Sequence, residues 1–256
     1  MTATCARTKR VLVIAGLDPS GGAGLVADIQ TLALSDCRSG ALATTLTAQG
    51  LNRWVDQHPV DPSLLAQQAQ ALQDGPPWDA VKIGALGSGA VTEVVARLLQ
   101  DLKAAQPALR VVLDPVLRSS SGGALGAADA LPGLLPWLDV ITPNRAEWAA
   151  LSERMSVSTL HVLITDAQAP VSAPASELSR NDAMHLWQGA TQVAVFPYRR
   201  HPSTWRGTGC RLSSRLAARL AHGDDIPTAV ADALDWVQQR IGNARGQPPL
   251  SAGSLL

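Results

Sequence analysis

Short apolar runs of strand length alternate along this chain with segments of helix length, and the runs are apolar on both faces instead of alternating. RVLVIAG (10–16) precedes a helix over 22–35, and ALATTLTAQ (41–49) precedes another over 61–73. AVKIGAL (80–86), the helically periodic VTEVVARLLQDLKAA (91–105), RVVLDPV (110–116) and DVITPN (139–144) running into RAEWAALS continue the series. Strands that avoid water on both sides, with helices crossing between them, predict an α/β fold: a mostly parallel central sheet with helices on both faces. Ligands of such sheets lie beyond the carboxyl ends of the strands, so the polar residues that follow each run carry the functional information.

From 153 to 206 the pattern is weaker. HVLIT (161–165) and TQVAVFP (191–197) read as strands, 169–182 as a Pro/Ser/Ala loop, and 209–222 and 226–243 as helices. One domain over 1–245 is expected, with 246–256 a flexible tail. A chain of 256 residues buries a core without help from disulfides or metal. Its three cysteines, Cys5, Cys37 and Cys210, lack the spacing of a zinc site or a disulfide framework. Basic and acidic side chains balance at 21 each, which removes the long-range field that would bring nucleic acid or anionic lipid to the surface. No apolar run reaches membrane-spanning length, and the N-terminal apolar stretch is too short for a signal peptide. A cytoplasmic enzyme or binding protein for small molecules is the expected class.

Four segments carry chemistry. AGLDPSGGAGLVADIQ (15–30) sets Gly21, Gly22 and Gly24 between a strand and a helix, where backbone can approach a ligand closely; a tight turn capped by Asp18 would look the same. WRGTGCRLSSRLAARL (205–220) leads Gly207, Thr208 and Gly209 into a helix whose first turn holds Cys210. Free N–H groups there would cradle negative charge and favour the Cys210 thiolate, although a thiol packed under a glycine turn is the plainer alternative. Asn144 and Glu147 in ITPNRAEWAAL suit hydrated Mg²⁺ beside phosphate, and equally suit a capping box. Asp114 ends the strand VVLDPV and points at the ligand crevice.

Together, and in order, these segments resemble the hydroxymethylpyrimidine and phosphomethylpyrimidine kinases of thiamine biosynthesis, within the ribokinase-like superfamily. AGLDPSGGAGLVAD resembles that family's AGSDPSGGAGIQAD, and TAQG, VKIGAL, LDPV, ITPNRAEWAAL and RGTGC resemble its TAQN, TKIGML, DPVM, TPNLPEAALL and HGTGC. The resemblance covers roughly 10–150 and 204–222. It implies a three-layer sandwich, ATP and Mg²⁺ as cofactors, an aminopyrimidine substrate and a homodimer. Gln49 would read the ring edge, Asp28 would lie near the hydroxymethyl group, and backbone at Gly16 and Val116 would flank the ring. Cys210 would accept the hydroxyl proton while the N–H groups of Gly207, Thr208, Gly209 and Cys210 stabilise the transferring phosphoryl group. Asp114 and Glu147 would hold Mg²⁺ through water, with Asn144 near the phosphates.

Departures concentrate in the nucleotide half. The family's KGGH-type segment supplies a lysine to ATP, whereas HVLITDAQAP here has Thr165 and Asp166 in place of Lys and Gly. The chain's lysines are Lys9, Lys82 and Lys103, so only Lys82, on another strand, stands near any motif. Arg206 and Arg211, flanking the glycine turn, are the expected substitutes for phosphate contact. Ala85 stands where the family has Met. Two other readings stay open: a pyridoxal or pyridoxine kinase, since such substrates share the ring-plus-hydroxymethyl shape, and a non-catalytic pyrimidine binder with a degenerate ATP site.

Overall fold

The computed structural model describes residues 7–50, 53–119, 122–125, 127–155, 160–167, 182–189, 192–199 and 205–243. Among the described residues nine strands form one sheet in the order β3-β2-β1-β4-β5-β6-β7-β8-β9. The central strands are β1 (Lys9–Leu17), β2 (Cys37–Gln49), β4 (Ala80–Ile83), β5 (Arg110–Leu113), β6 (Val140–Ile141) and β7 (His161–Ala167). All their pairings are parallel. Three antiparallel strands finish the edges: β3 (Trp54–Pro59) beyond β2, and β8 (Asp182–Gln188) and β9 (Val193–Arg199) beyond β7.

Among the described residues six α-helices cover the faces: α1 (Gly24–Ala33), α2 (Pro62–Gln73), α3 (Gly89–Ala105), α4 (Arg145–Leu151), α5 (Thr208–His222) and α6 (Ile226–Asn243). One core lies between the sheet and α2, α3 and α4, built on Ile14, Ile83, Leu99, Leu113 and Ile141. The other joins Val13, Ala15, Ala80 and Val112 to Leu32 of α1, Leu216 and Ala217 of α5 and Val230 of α6. The expected sheet with helices on both faces is therefore present. Among the described residues no helix is long and apolar enough to cross a membrane.

The sequence reading needs three corrections. β3 and β8 were not expected; each lies in the edge region, where one face meets solvent and apolar residues thin out. β2 begins at Cys37, four positions before the expected 41, and a short tight helix covers Leu131–Trp137. The expected loop over 169–182 and the tail at 246–256 fall almost wholly or wholly outside the described residues.

The faces of the helices test this layering. Leu99 of α3 is fully buried, whereas Leu64 of α2 is 48% exposed. Leu99→Ala is expected to cost about 2–5 kcal/mol in denaturant unfolding, the range for a leucine cavity in a packed core. Leu64→Ala should stay within about 0.5 kcal/mol of wild type. Equal losses at both positions would contradict the placement of the two helices.

Candidate active site

Two glycine turns, distant in sequence, pack against each other at the carboxyl ends of β1, β4 and β5. The turn between β1 and α1 places Gly21 and Gly24 at positive φ, and a β-carbon on Gly24 would lie 2.3 Å from the Gly16 carbonyl oxygen. Gly207, at φ 68°, caps α5 without a side chain, and a β-carbon there would lie 2.1 Å from the Gly22 carbonyl oxygen. Any other residue would drive the turns apart. The amide of Arg211 donates to the Gly207 carbonyl at 2.9 Å, which starts the helical ladder and leaves the N–H groups of Thr208, Gly209 and Cys210 outside it.

These turns wall a cavity of about 430 Å³. Gly207, Thr208, Gly209 and Cys210 form one side, Gly16 and Gln49 another, and Asp114, Val116, Asn144 and Glu147 a third. Ala85 and Thr165 complete it, and the fully buried Lys82 lies beneath its floor. A second hollow of about 170 Å³ shares Thr165, Thr208 and Gly209 with the first. Its wall adds His185 and the apolar Leu212, Leu234, Val237 and Ile241. Burial pushes the His185 imidazole down to about 4, so it is neutral at pH 7.

Three expected contacts are placed differently. Asp28 does not line the cavity: one turn into α1, it is fully buried against the sheet, where Lys82 Nζ donates to it at 2.8 Å and Ser214 Oγ at 2.8 Å. Arg211 does not face the phosphate region either. It is 2% exposed and donates to the Gly22 carbonyl at 3.1 Å, tying the two glycine turns together. Arg206 donates to Gln49 Oε1 at 3.0 Å and to Asp18 Oδ2 at 3.3 Å, and also reaches the Gly50 carbonyl. It orders the substrate side instead of standing beside a nucleotide. Ser119 Oγ also donates to Gln49 Oε1, at 2.8 Å, so the amide that was expected to read a ring edge is held from two directions. Asp18 does act as a local cap, accepting from the amide and hydroxyl of Ser20 at 2.9 and 2.7 Å.

The capping box and the cavity position of Asn144 and Glu147 coexist. Asn144 Oδ1 accepts from the Glu147 amide and Glu147 Oε2 from the Asn144 amide, each at 2.9 Å. Burial, with Asp114 nearby, pushes Glu147 up to about 7. Burial also lifts Asp114 to about 6, against the pull of Lys82. Asp114 Oδ2 is buried with no hydrogen-bond partner. Two carboxylates held at unfavourable cost, one with an orphaned oxygen, are the donor set a partly hydrated Mg²⁺ accepts when phosphate oxygens supply further ligands. Among the described residues there is no cluster of three acidic, His or Cys ligands, so a metal cage built by the protein alone is not what this site offers.

Cys210 is partly exposed at the cavity wall, but the expected stabilised thiolate is not found. Burial pushes the thiol up to about 12; Lys82 pulls it down, while Asp28 and Asp114 push it further up. Desolvation outweighs the favourable end of α5, so the resting thiol keeps its proton.

Of the two cationic side chains at the cavity, Lys82 was noted from the sequence as the one lysine near a motif, and Arg118 was missed. The pairing of Lys82 was readable in principle, because a lysine inside a run buried on both faces must find a buried partner. Arg118 lines the cavity from the loop after β5, and nothing in its sequence context marks it. Asp166 stands where the resemblance has glycine and adopts φ 57°, the left-handed backbone that glycine favours.

A family model described as phosphomethylpyrimidine kinase matches residues 18–249. The hydroxymethylpyrimidine/phosphomethylpyrimidine kinase of Haemophilus influenzae is 32% identical, with 96% of this chain and 93% of that protein aligned. The thiamine biosynthesis multifunctional protein ThiED of Corynebacterium efficiens is also 32% identical over 96% of this chain, which spans only 34% of that longer protein. Among solved structures, the pyridoxal kinase of Staphylococcus aureus in complex with AMP-PCP and pyridoxal superposes with a TM-score of 0.77 at 25% identity, covering 97% of this chain and 94% of that one.

The carboxylates make the site costly to the folded chain. A carboxyl whose folded pKa is near 6 holds its proton longer than in the unfolded chain, so stability falls as pH rises from about 4 to 6 and stays lower above that. Asp114→Asn should therefore raise unfolding stability at pH 8 by about 2–3 kcal/mol, and by little at pH 4. Urea titrations at the two pH values check this. A variant no more stable at pH 8 would contradict the strained carboxylate.

Proposed function

Because this chain belongs to the phosphomethylpyrimidine kinase family, we propose that it transfers the terminal phosphoryl group of ATP to the hydroxymethyl-aminopyrimidine precursor of thiamine, and then to the monophosphate so formed. The observation that carries this reading is the amide cradle of Thr208, Gly209 and Cys210 sharing one cavity with Glu147 and with Asp114, which lies directly beneath the turn. Phosphoryl transfer needs little covalent help from a protein and much placement of charge. Free N–H groups beside two carboxylates provide that placement: the amides for the oxygens of the transferring group, the carboxylates for a cation.

Within this reading the pyrimidine ring lies between Gly16, Val116 and Ala85, with Gln49 at its edge. The held orientation of the Gln49 amide supports recognition, because a group that does not rearrange loses less entropy on binding. The second hollow, with an apolar wall of Leu212, Leu234, Val237 and Ile241 and with His185, Asp166 and Gln238 as polar groups, suits the base of ATP. Mg²⁺, held by Asp114 and Glu147 through water, would neutralise charge on the phosphates. Cys210 takes the hydroxyl proton. In a loose transition state that proton leaves late; the resting thiol must first give up its own proton, and in this reading the Asp114 carboxylate, beneath the same turn, receives it.

Pyridoxal is the competing substrate because the pyridoxal kinase shares the fold, but the Haemophilus influenzae pyrimidine kinase is 32% identical over 93% of its length, against 25% for that pyridoxal kinase. ADP release with the hydroxymethylpyrimidine and with pyridoxal, side by side, separates the two. Higher kcat/KM for the pyrimidine is expected; a preference for pyridoxal would overturn the substrate, and no Mg·ATP turnover with either would overturn the kinase reading. Cys210→Ala should lower kcat by on the order of 10²–10⁴ with little change in pyrimidine affinity. Turnover near wild type would remove Cys210 from the chemistry.

A further inference from the structure

Lys82 is the one charged residue in β4, whose other members, Ala80, Val81 and Ile83, are all fully buried and apolar. Its ammonium is completely buried, as is its partner Asp28. An ammonium has three donors, and among the described residues only Asp28 Oδ2 accepts one. The other Asp28 oxygen is occupied by Ser214 of α5, so the carboxylate is anchored from α5 while it holds the lysine from α1. A buried pair of this kind contributes little net stability compared with apolar side chains of the same volume, so stability is a weak reason for it.

Its position supplies a better one. β4 lies between β1 and β5, and the Asp114 amide donates to the Ile83 carbonyl at 2.8 Å, which sets Asp114 beside Gly84. A β-carbon on Gly84 would lie 3.0 Å from Lys82 Nζ, so the ammonium extends beneath the cavity floor toward that same point. Asp114 in turn lies under the glycine turn: its two carboxylate oxygens are 3.7 and 3.9 Å from where a Gly209 β-carbon would sit.

We propose that Lys82 is the fixed positive charge of the reacting centre: anchored by Asp28, it offsets the Asp114 carboxylate beneath the Gly207–Cys210 turn and so permits further negative charge to gather there during phosphoryl transfer. It is a positioning residue, acting through its field from below the floor without touching substrate. This inference rests on the kinase reading, and it gives this chain a lysine for its phosphate chemistry from β4 in place of the absent one after β7. The electrostatics agree: burial would pull Lys82 down, and the carboxylates of Asp28 and Asp114 act against it to keep the ammonium protonated.

The test separates charge from packing. Lys82→Met leaves Asp28 buried and unpaired, and should lower Tm by on the order of 10 °C. The double variant Lys82→Met/Asp28→Asn removes both charges and should return Tm to within about 3 °C of wild type. If Lys82 serves the reacting centre, the double variant stays slow: kcat with pyrimidine and Mg·ATP falls by on the order of 10², while pyrimidine KM stays within about threefold. A double variant that regains both Tm and kcat overturns the proposal. So does one that fails to fold, because the pair would then be a stability element. Wild type assayed in parallel keeps the two readings apart: if it does not turn over, the kinase reading fails, and if it does, a fast double variant counts against Lys82 alone.

Discussion

The contact between Gly207 and the Gly22 carbonyl is the constraint on which the rest of the site depends. It requires a residue without a side chain in left-handed backbone, and it brings the start of α5 onto the turn after β1. Arg211 secures the contact by donating to the same carbonyl while buried from water. Once the turns are locked, the free amides of α5 face the strand ends that carry Asp114 and, one strand further, the box of Asn144 and Glu147. An oxyanion-type site is useful only when its donors need no rearrangement, and two interlocked turns on a nine-stranded sheet meet that condition.

The electrostatics show a site at odds with its own stability. Asp114 and Glu147 are both held above their ordinary range by burial, and Cys210 is pushed up for the same reason. Each would be more comfortable neutral or hydrated, a familiar exchange of stability for function. Lys82 is the counterweight within the core. Arg206, by contrast, spends its charge on ordering Gln49 and Asp18, and Arg211 on joining loops, so a basic residue beside a glycine turn need not contact phosphate.

Much of this was legible in the sequence. The parallel centre of the sheet followed from runs such as RVLVIAG and RVVLDPV, because residues buried on both faces must be apolar throughout. Asp114, Asn144 and Glu147 followed from the rule that strand ends carry the chemistry and Gly207–Cys210 from a glycine turn running into a helix, whereas Gly16 and Val116 came from the family resemblance. What failed did so for physical reasons. WVDQHP and DAMHLWQ are strands near the sheet edges with mixed polarity, and neither pattern nor length distinguishes them from loop. Asp28 sits in a helix whose orientation cannot be read from spacing alone; it turned inward to Lys82 instead of outward to a ligand. The thiol of Cys210 was judged by the helix end beside it, but desolvation is a property of the assembled site.

The most direct test is a crystal structure of the protein with the hydroxymethylpyrimidine, Mg²⁺ and a non-hydrolysable ATP analogue. Terminal phosphate oxygens are expected within about 2.7–3.1 Å of the Thr208, Gly209 and Cys210 amides, with the pyrimidine hydroxyl directed at the Cys210 sulfur. A nucleotide whose phosphates lie away from that turn, or a pyrimidine bound outside the cavity bounded by Gln49 and Val116, would contradict the central claim that the interlocked glycine turns form the phosphoryl-transfer site.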